Sequence, residues 1–189
     1  MEATNIVLCG LGGQGILFMT KVVAHAALAK GFKVMGAETH GMAQRGGSVI
    51  SHLRLGEVQS SLIRAGSAHL LLSLDENEGY RNLPFLARNS RMFVNSSSGR
   101  FPREDVEKFL DAREIISRAV PAGEIARDLG APLSSNLALL GYYAAFGNGS
   151  AGAGEMRRTI EKLSPDRFRE KNLEVYDAGL QRGRGERPL

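Results

Sequence analysis

A chain that passes from a short unbroken apolar stretch through closely spaced glycines straight into a helical pattern has few folds open to it. Ile6, Val7, Leu8 and Cys9 form the stretch, of the kind buried on both faces of a parallel sheet. Ile16, Leu17, Val22, Val23, Ala26 and Ala27 then recur at helical spacing. Between the two, Gly10, Gly12 and Gly15 satisfy G-x-G-x-x-G, with Gly13 and Gln14 inside the loop. Glycines at these places permit a tight turn, close approach of a ligand to the backbone, and close packing of helix on strand. The first amides of such a helix point outward without partners, which suits an anion. A plain strand-to-helix connection in an α/β domain uses the same residues, and the loop alone does not choose between the two readings.

With 189 residues, one domain with a sizeable core, spanning 1–189, is expected. The 43% hydrophobic and 23% charged shares are those of an ordinary globular protein. The net charge of +4 and pI near 9.5 owe part of their excess to Arg182, Arg184 and Arg187, which stand among glycines against Glu186 and read as a frayed basic tail. The remaining body is weakly basic, which argues against a nucleic-acid groove. A single cysteine, Cys9, leaves no internal disulfide, cysteine-ligated iron–sulfur cluster or multi-cysteine zinc site within this chain, and in an apolar strand it reads as a small core residue. No apolar run reaches membrane-spanning length and the residues before Asn5 leave no room for a signal peptide, so a cytoplasmic location is expected.

Further along, a helix over 14–30 ends at Gly31, placed as a left-handed cap, and a strand over 32–38 can lie parallel to the first through a right-handed crossover. Glu38 closes that strand where a dinucleotide-binding domain keeps the acid that holds a ribose, so an NAD reading stays open. The polar loop from Thr39 to Ser48 is not required by a simple nucleotide fold. Its His40, just past a strand end, is the better candidate of the two nearby histidines. Val49 to Leu55 alternates as a half-exposed strand with His52 on the solvated face, and Val58 to Ile63 is expected to return as its partner in a mixed or antiparallel part of the sheet. Leu70 to Leu74 and Arg91 to Asn95 read as strands, with Asp75 either at the functional edge or, more simply, the N-cap of a helix from Glu76. Helices follow over 102–112 and 121–130, with a strand over 114–120 between them. Asn136 to Phe146 is apolar on too many sides for a surface helix and must be buried in the sheet packing or covered by a partner chain. A flexible turn over 147–154 leads to an amphipathic helix over 155–163 and a charged helix to about Leu180. The fold class expected is a three-layer α/β/α arrangement with a mostly parallel, partly mixed central sheet, Rossmann-like, with C-terminal helices.

The first glycine loop, the run His40-Gly41-Met42-Ala43-Gln44-Arg45-Gly46-Gly47-Ser48-Val49, and the later residues Ile125-Ala126, Gly130, Asn136 and Leu140-Gly141 together resemble the gamma-type domain of the 2-oxoacid:ferredoxin oxidoreductases. Within that family the wording of the second loop is most similar to the small beta subunit of indolepyruvate ferredoxin oxidoreductases, and the resemblance spans most of the chain. One departure is His69, which stands where relatives tend to carry an acidic residue.

The resemblance implies a subunit: a large partner would carry thiamine diphosphate with its magnesium and the iron–sulfur clusters. The reaction implied is oxidative decarboxylation of an arylpyruvate, with coenzyme A as substrate and two ferredoxins as electron acceptors. By the same resemblance the two loops, through Gly10, Gly12, Gly13, Gln14, Gly15, His40, Gln44, Arg45, Gly46 and Gly47, line the edge facing the thiamine-bearing chain and the coenzyme A entrance. Arg45 and the helix start suit anionic groups there. No cofactor is assigned to this chain by itself, and no single residue is assigned a catalytic role. Two other readings stay open, a free-standing NAD-dependent dehydrogenase built on Gly10, Gly12, Gly15 and Glu38, and a non-catalytic interaction protein. The apolar 136–146 segment, together with the basic and glycine-rich loops, also makes a homodimer expected when the large chain is absent.

Overall fold

The structure, a computed structural model, describes residues 3–40, 46–146 and 151–186. In chain order its elements are β1 (Thr4–Leu11), α1 (Ile16–Ala29), β2 (Val34–His40), β3 (Ser48–Leu55), β4 (Ala68–Ser73), α2 (Glu76–Arg81), β5 (Leu86–Asn95), α3 (Glu104–Ala112), β6 (Ile116–Val120), α4 (Ala122–Asp128), α5 (Ser135–Ala145), α6 (Ala153–Leu163) and α7 (Asp166–Arg184). The strands form one sheet in the order β2-β3-β1-β4-β5-β6. β1, β4, β5 and β6 run parallel, whereas β3 is antiparallel to both β1 and β2.

Alternation along β1 divides the interior into two cores. Ile6 and Leu8 face a layer built from α1, α5, α6 and α7, and Val7 and Cys9 face the opposite layer with Val106 and Leu110 of α3. The expected α/β/α arrangement is therefore present. Helix α1 stops where the sequence indicates. Gly31 takes φ 83°, its amide donates to Leu28 O at 2.9 Å, and the Phe32 amide donates to Ala27 O at 3.1 Å, a Schellman closure. Among the described residues no helix is long and apolar enough to cross a membrane.

Two strand expectations are corrected. β2 does not lie beside β1, because β3 turns back between them and pairs with both, Leu53 standing opposite Ile6 on one side and Gly36 on the other. With both of its edges taken, β3 has no place for a further strand over 58–63. That segment lies irregularly across the sheet face, with Ile63 buried. It covers His52, which is 5% exposed instead of solvated, accepts a hydrogen bond at Nδ1 from the Ile63 amide at 3.2 Å, and meets Phe85 edge-on. The basic C-terminal residues are also misread as a tail up to residue 186. α7 continues through Arg184, and the Glu186 carboxylate accepts from Arg118 Nη1 at 3.0 Å and Tyr142 Oη at 2.8 Å.

Helix α5 is buried on nearly every side, and the cover is intramolecular. α7 lies against it backbone to backbone: a Cβ at Gly141 would stand 2.0 Å from Tyr176 O, and one at Gly179 would stand 2.0 Å from Ala138 O. Glycine permits an approach that any side chain forbids. On the sheet side, Phe93 packs its ring against Tyr142, Tyr143 and Phe146. The 136–146 segment therefore contributes little free surface to the expected homodimer, because α7 and the sheet cover it.

Gly179→Ala forces α7 off α5 and is expected to cost ~1–3 kcal/mol or more, lowering Tm by about 4–10 °C. Gly154→Ala, whose new Cβ would meet only Arg158 Nη1 at 3.9 Å, is expected to be neutral or slightly stabilising. Thermal unfolding of the two variants side by side checks the pair. A second expectation concerns acid. Burial lowers the pKa of His52 from its ordinary value near 6.5, so the unfolded chain takes up this proton more readily than the folded one. Its contribution to stability is complete above pH about 6.5 and is lost as pH falls through that value toward the lower folded pKa. Melting curves between about pH 7.5 and about pH 5 should show a steeper acid decline in the wild type than in His52→Gln.

Candidate functional site

All four parallel strands deliver their carboxyl ends to one edge of the sheet, and β3 begins at that same edge, its Ser48 in register with Leu11. This is where an open α/β sheet binds ligands. The first glycine loop turns there. Gln14 folds back so that its Oε1 accepts from the Leu11 amide at 2.7 Å, while its own amide donates to Leu11 O at 3.1 Å. Gly13 and Gly15 take φ 98° and 83°, which an L side chain adopts only with strain. Gly10 serves packing: a Cβ there would stand 2.7 Å from Gln14 Oε1, 2.9 Å from Ile16 Cδ1 and 3.1 Å from Leu74 Cβ.

The second loop is joined to the first through Gly12. Its amide donates to Gly47 O at 2.8 Å and its carbonyl accepts from the Gly46 amide at 3.3 Å. These bonds extend the β1–β3 ladder past its end, so Gly46 and Gly47 are brought against Gly12 as one unit. His40 ends β2 in register with Val49. The side chain of His40, together with Gln44 and Arg45, lies outside the described residues.

From the other side Asn136, 4% exposed at the start of α5, donates through Nδ2 to Gly15 O at 3.1 Å and accepts at Oδ1 from the Leu137 amide at 2.9 Å. A Cβ on Gly15 would stand 2.5 Å from that Nδ2, so Gly15 gives Asn136 its room. Gly15 is the N-cap of α1 and supplies no side-chain oxygen to it, which leaves the helix's first-turn amides for another acceptor. The amides of Leu11, Gly12 and Gln14 are already used within the loops. An anion at this edge would therefore meet the start of α1 itself.

Two cavities flank the turn. A polar crevice of about 360 Å³ runs from Gln14 past Asp75, Asn95 and Ser96 to Glu124 and Arg127. Asn95 ties its walls together, donating to Leu74 O at 3.1 Å and accepting from the Gly123 amide at 3.0 Å. Asp75 has the plainer of its two expected roles, since Oδ1 accepts from the Glu78 amide at 3.0 Å and caps α2. On the opposite flank, Gly15, Phe18, Leu133, Asn136, Leu137 and Phe168 line an apolar groove of about 420 Å³, where Leu133 is 83% exposed.

Glu38 is not a ribose-binding acid. It is exposed at the end of β2, the outermost strand, and β3 stands between it and the glycine turn. The dinucleotide reading requires the acid one strand from the glycines, and the inserted strand removes it. Cys9 does not fit an iron–sulfur cluster. It is wholly buried, donates to Ser73 Oγ at 3.3 Å and lies 3.6 Å from Glu78 O, and burial above all pushes its thiol up to about 12. Among the described residues no group of three or more His, Cys, Asp or Glu is arranged to hold a metal ion. His69, the departure from the family pattern, is exposed and accepts at Nδ1 from the Asn5 amide at 2.9 Å, far from the carboxyl edge.

Ser48, Glu78 and Asn136 belong to this edge although none was picked as a site residue from sequence. Ser48 and Asn136 fall within runs that carry the family resemblance. Glu78 carries no such mark.

Two glycine turns are locked together at the carboxyl edge of a doubly wound α/β sheet, with β3 inserted beside β1. The chain belongs to the pyruvate ferredoxin/flavodoxin oxidoreductase family, whose model matches residues 5–182. It is 32% identical to the indolepyruvate oxidoreductase subunit IorB of Archaeoglobus fulgidus over 97% of each chain. In fold it is similar to the gamma subunit of a keto/oxoacid ferredoxin oxidoreductase from Geobacter sulfurreducens, with a TM-score of 0.75, 20% identity, and 97% of this chain and 99% of that one covered. All of this chain also overlays 32% of the 2-oxoglutarate:ferredoxin oxidoreductase of Magnetococcus marinus, with a TM-score of 0.81 and 16% identity.

Proposed function

We propose that this chain is the small subunit of an indolepyruvate or related arylpyruvate ferredoxin oxidoreductase. In the reaction, the 2-oxoacid and coenzyme A give an acyl-CoA and carbon dioxide, and two electrons pass to two ferredoxins. One observation carries the reading: the chain aligns over nearly its full length with an indolepyruvate oxidoreductase subunit, and its two glycine turns are joined at the carboxyl edge of the sheet. The chain forms a single gamma-type domain and works in the cytoplasm. Thiamine diphosphate, magnesium and the iron–sulfur clusters are assigned to a large partner, because the single cysteine of this chain, Cys9, is buried with its thiol held protonated and cannot ligate a cluster.

In this reading the carboxyl edge faces the large subunit and the coenzyme A entrance. Gly10, Gly12, Gly13, Gln14, Gly15, Gly46 and Gly47 shape it, and the uncapped start of α1 gives it a preference for negative charge. Arg45, two residues before Gly47 in the sequence, is proposed to reach a phosphate or carboxylate with its fixed fork of donors, and His40 and Gln44 are proposed to serve the same contact.

Affinity purification from the source cell should bring down a large chain containing thiamine diphosphate and iron–sulfur clusters. The small chain alone should be colourless and should not reduce a viologen dye with indolepyruvate and coenzyme A. Recovery of the small chain free of any such partner, or cluster absorbance from it alone, would contradict the assignment. Within the complex, Arg45→Lys is expected to raise the apparent coenzyme A requirement or weaken assembly by ~1–3 kcal/mol, leaving the Tm of the isolated subunit unchanged. A shift confined to the melting curve would assign Arg45 to its own loop instead.

A further inference from the structure

An aspartate at a helix N-cap followed three residues later by glutamate is the pattern of a reciprocal capping box, in which the glutamate turns back to the N-cap amide. α2 has the first half of it, Asp75 accepting from the Glu78 amide. The Glu78 carboxylate goes elsewhere. Its Oε2 accepts from Ser48 Oγ at 2.6 Å, and its Oε1 meets Arg81 Nη1 at 2.9 Å. The Glu78 side chain is 3% exposed while that of Arg81 is 66% exposed, so the contact it makes inside the protein is with Ser48. Burying a carboxylate is costly, and forming a helix as short as α2 does not require one.

The contact falls at a sensitive place. Ser48 is the first residue of β3 and follows Gly47, whose carbonyl takes the Gly12 amide. α2 is seated directly on the sheet, since a Cβ at Gly79 would stand 2.8 Å from Met92 Cε and 3.3 Å from Ser73 Cβ. A carboxylate fixed to β4 and β5 in this way holds β3 from the far side of β1. Gly12, Gly47, Ser48 and Glu78 thus form a continuous chain of hydrogen bonds and covalent links from the first glycine turn, through the second, into α2.

We propose that Glu78 is a positioning residue: through the Ser48 hydroxyl it holds the second glycine turn in register against Gly12. The proposal deepens the reading of the carboxyl edge as the face presented to the large subunit and coenzyme A, and rests on that reading only for its consequence in the complex.

Hydrogen exchange of the isolated chain tests the geometry directly, at the Gly12 and Gly46 amides that bridge the turns. Ser48→Ala and Glu78→Ala are each expected to speed exchange at these two amides about tenfold or more, and the double variant to do no more than either alone. Glu78→Gln keeps an oxygen acceptor for Ser48, and Ser48→Thr keeps the hydroxyl, so both should restore near-normal protection. Ser48→Ala removes a single oxygen and keeps the test open if Glu78→Ala fails to fold. Unchanged exchange at Gly12 and Gly46, or a rise spread evenly over β1, β4 and β5, overturns the proposal in favour of general stability. In the reconstituted complex, the same Ala variants should raise KM for coenzyme A several-fold at nearly constant kcat, with recovery in Glu78→Gln. Faster exchange without any kinetic change would leave the positioning role standing and sink the assignment of this edge to coenzyme A and the large subunit.

Discussion

The hydrogen bonding of β3 into the free edge of β1 governs the rest of the molecule. A parallel β1–β2 pair would have left the connection between β2 and β3 at the margin of the sheet. Because β3 turns back and takes the place beside β1, the residues before Ser48 arrive next to the first glycine turn, and Gly12 can engage both Gly46 and Gly47. The same insertion sends β2 to the outer edge and carries Glu38 away from the glycines. One pairing choice thus closes the dinucleotide site and builds a two-loop surface in its place. Topology decides here what the first loop means chemically.

A second constraint lies beneath that edge. Asn136 at the head of α5 is bonded to Gly15, so the position of the first turn depends on where α5 sits, and α5 is in turn held by Phe93 below and by α7 above. The glycines therefore act at two scales. Gly13 and Gly15 permit backbone angles that bend the chain, while Gly141, Gly179 and Gly183 hold nothing in a special conformation and simply remove volume between helices. A side chain at the second kind of glycine would displace a helix and, through Asn136, the first glycine turn.

Much of this was legible in the sequence where the physics is local. The apolar β1, the turn at Gly10 to Gly15, the cap at Gly31 and the N-cap at Asp75 each announce themselves through residues within a few positions of one another. What stayed hidden depends on distant partners. The alternation from Val49 to Leu55 marks a strand but says nothing of which strand it joins. His52 stands on the face that alternation assigns to solvent, and its cover, the 58–63 segment, has no periodicity to betray it. The burial of α5 is written in its own apolar residues, whereas Gly179 and Gly183 of α7 show themselves as its complement only once the two helices are packed together. Glu78 was obscured differently, because its place in an ordinary capping pattern gave it a sufficient local explanation while its side chain serves a contact thirty residues away.

The close seating of α7 on α5 also bears on how the chain reaches its native state. α5 is synthesised before the helix that covers it, and the contacts that close the gap, at Tyr176, Gly179 and Gly183, come from the latter half of α7. In the native core Leu137, Leu140 and Tyr142 are walled in part by α7, and apolar surface left without such a wall invites aggregation. Synthesis proceeds from the amino terminus, so the sheet and both glycine turns emerge first, and the support that fixes Asn136 against Gly15 is completed afterward. The bond that fixes Asn136 against Gly15 therefore has its full support only once α7 is seated on α5.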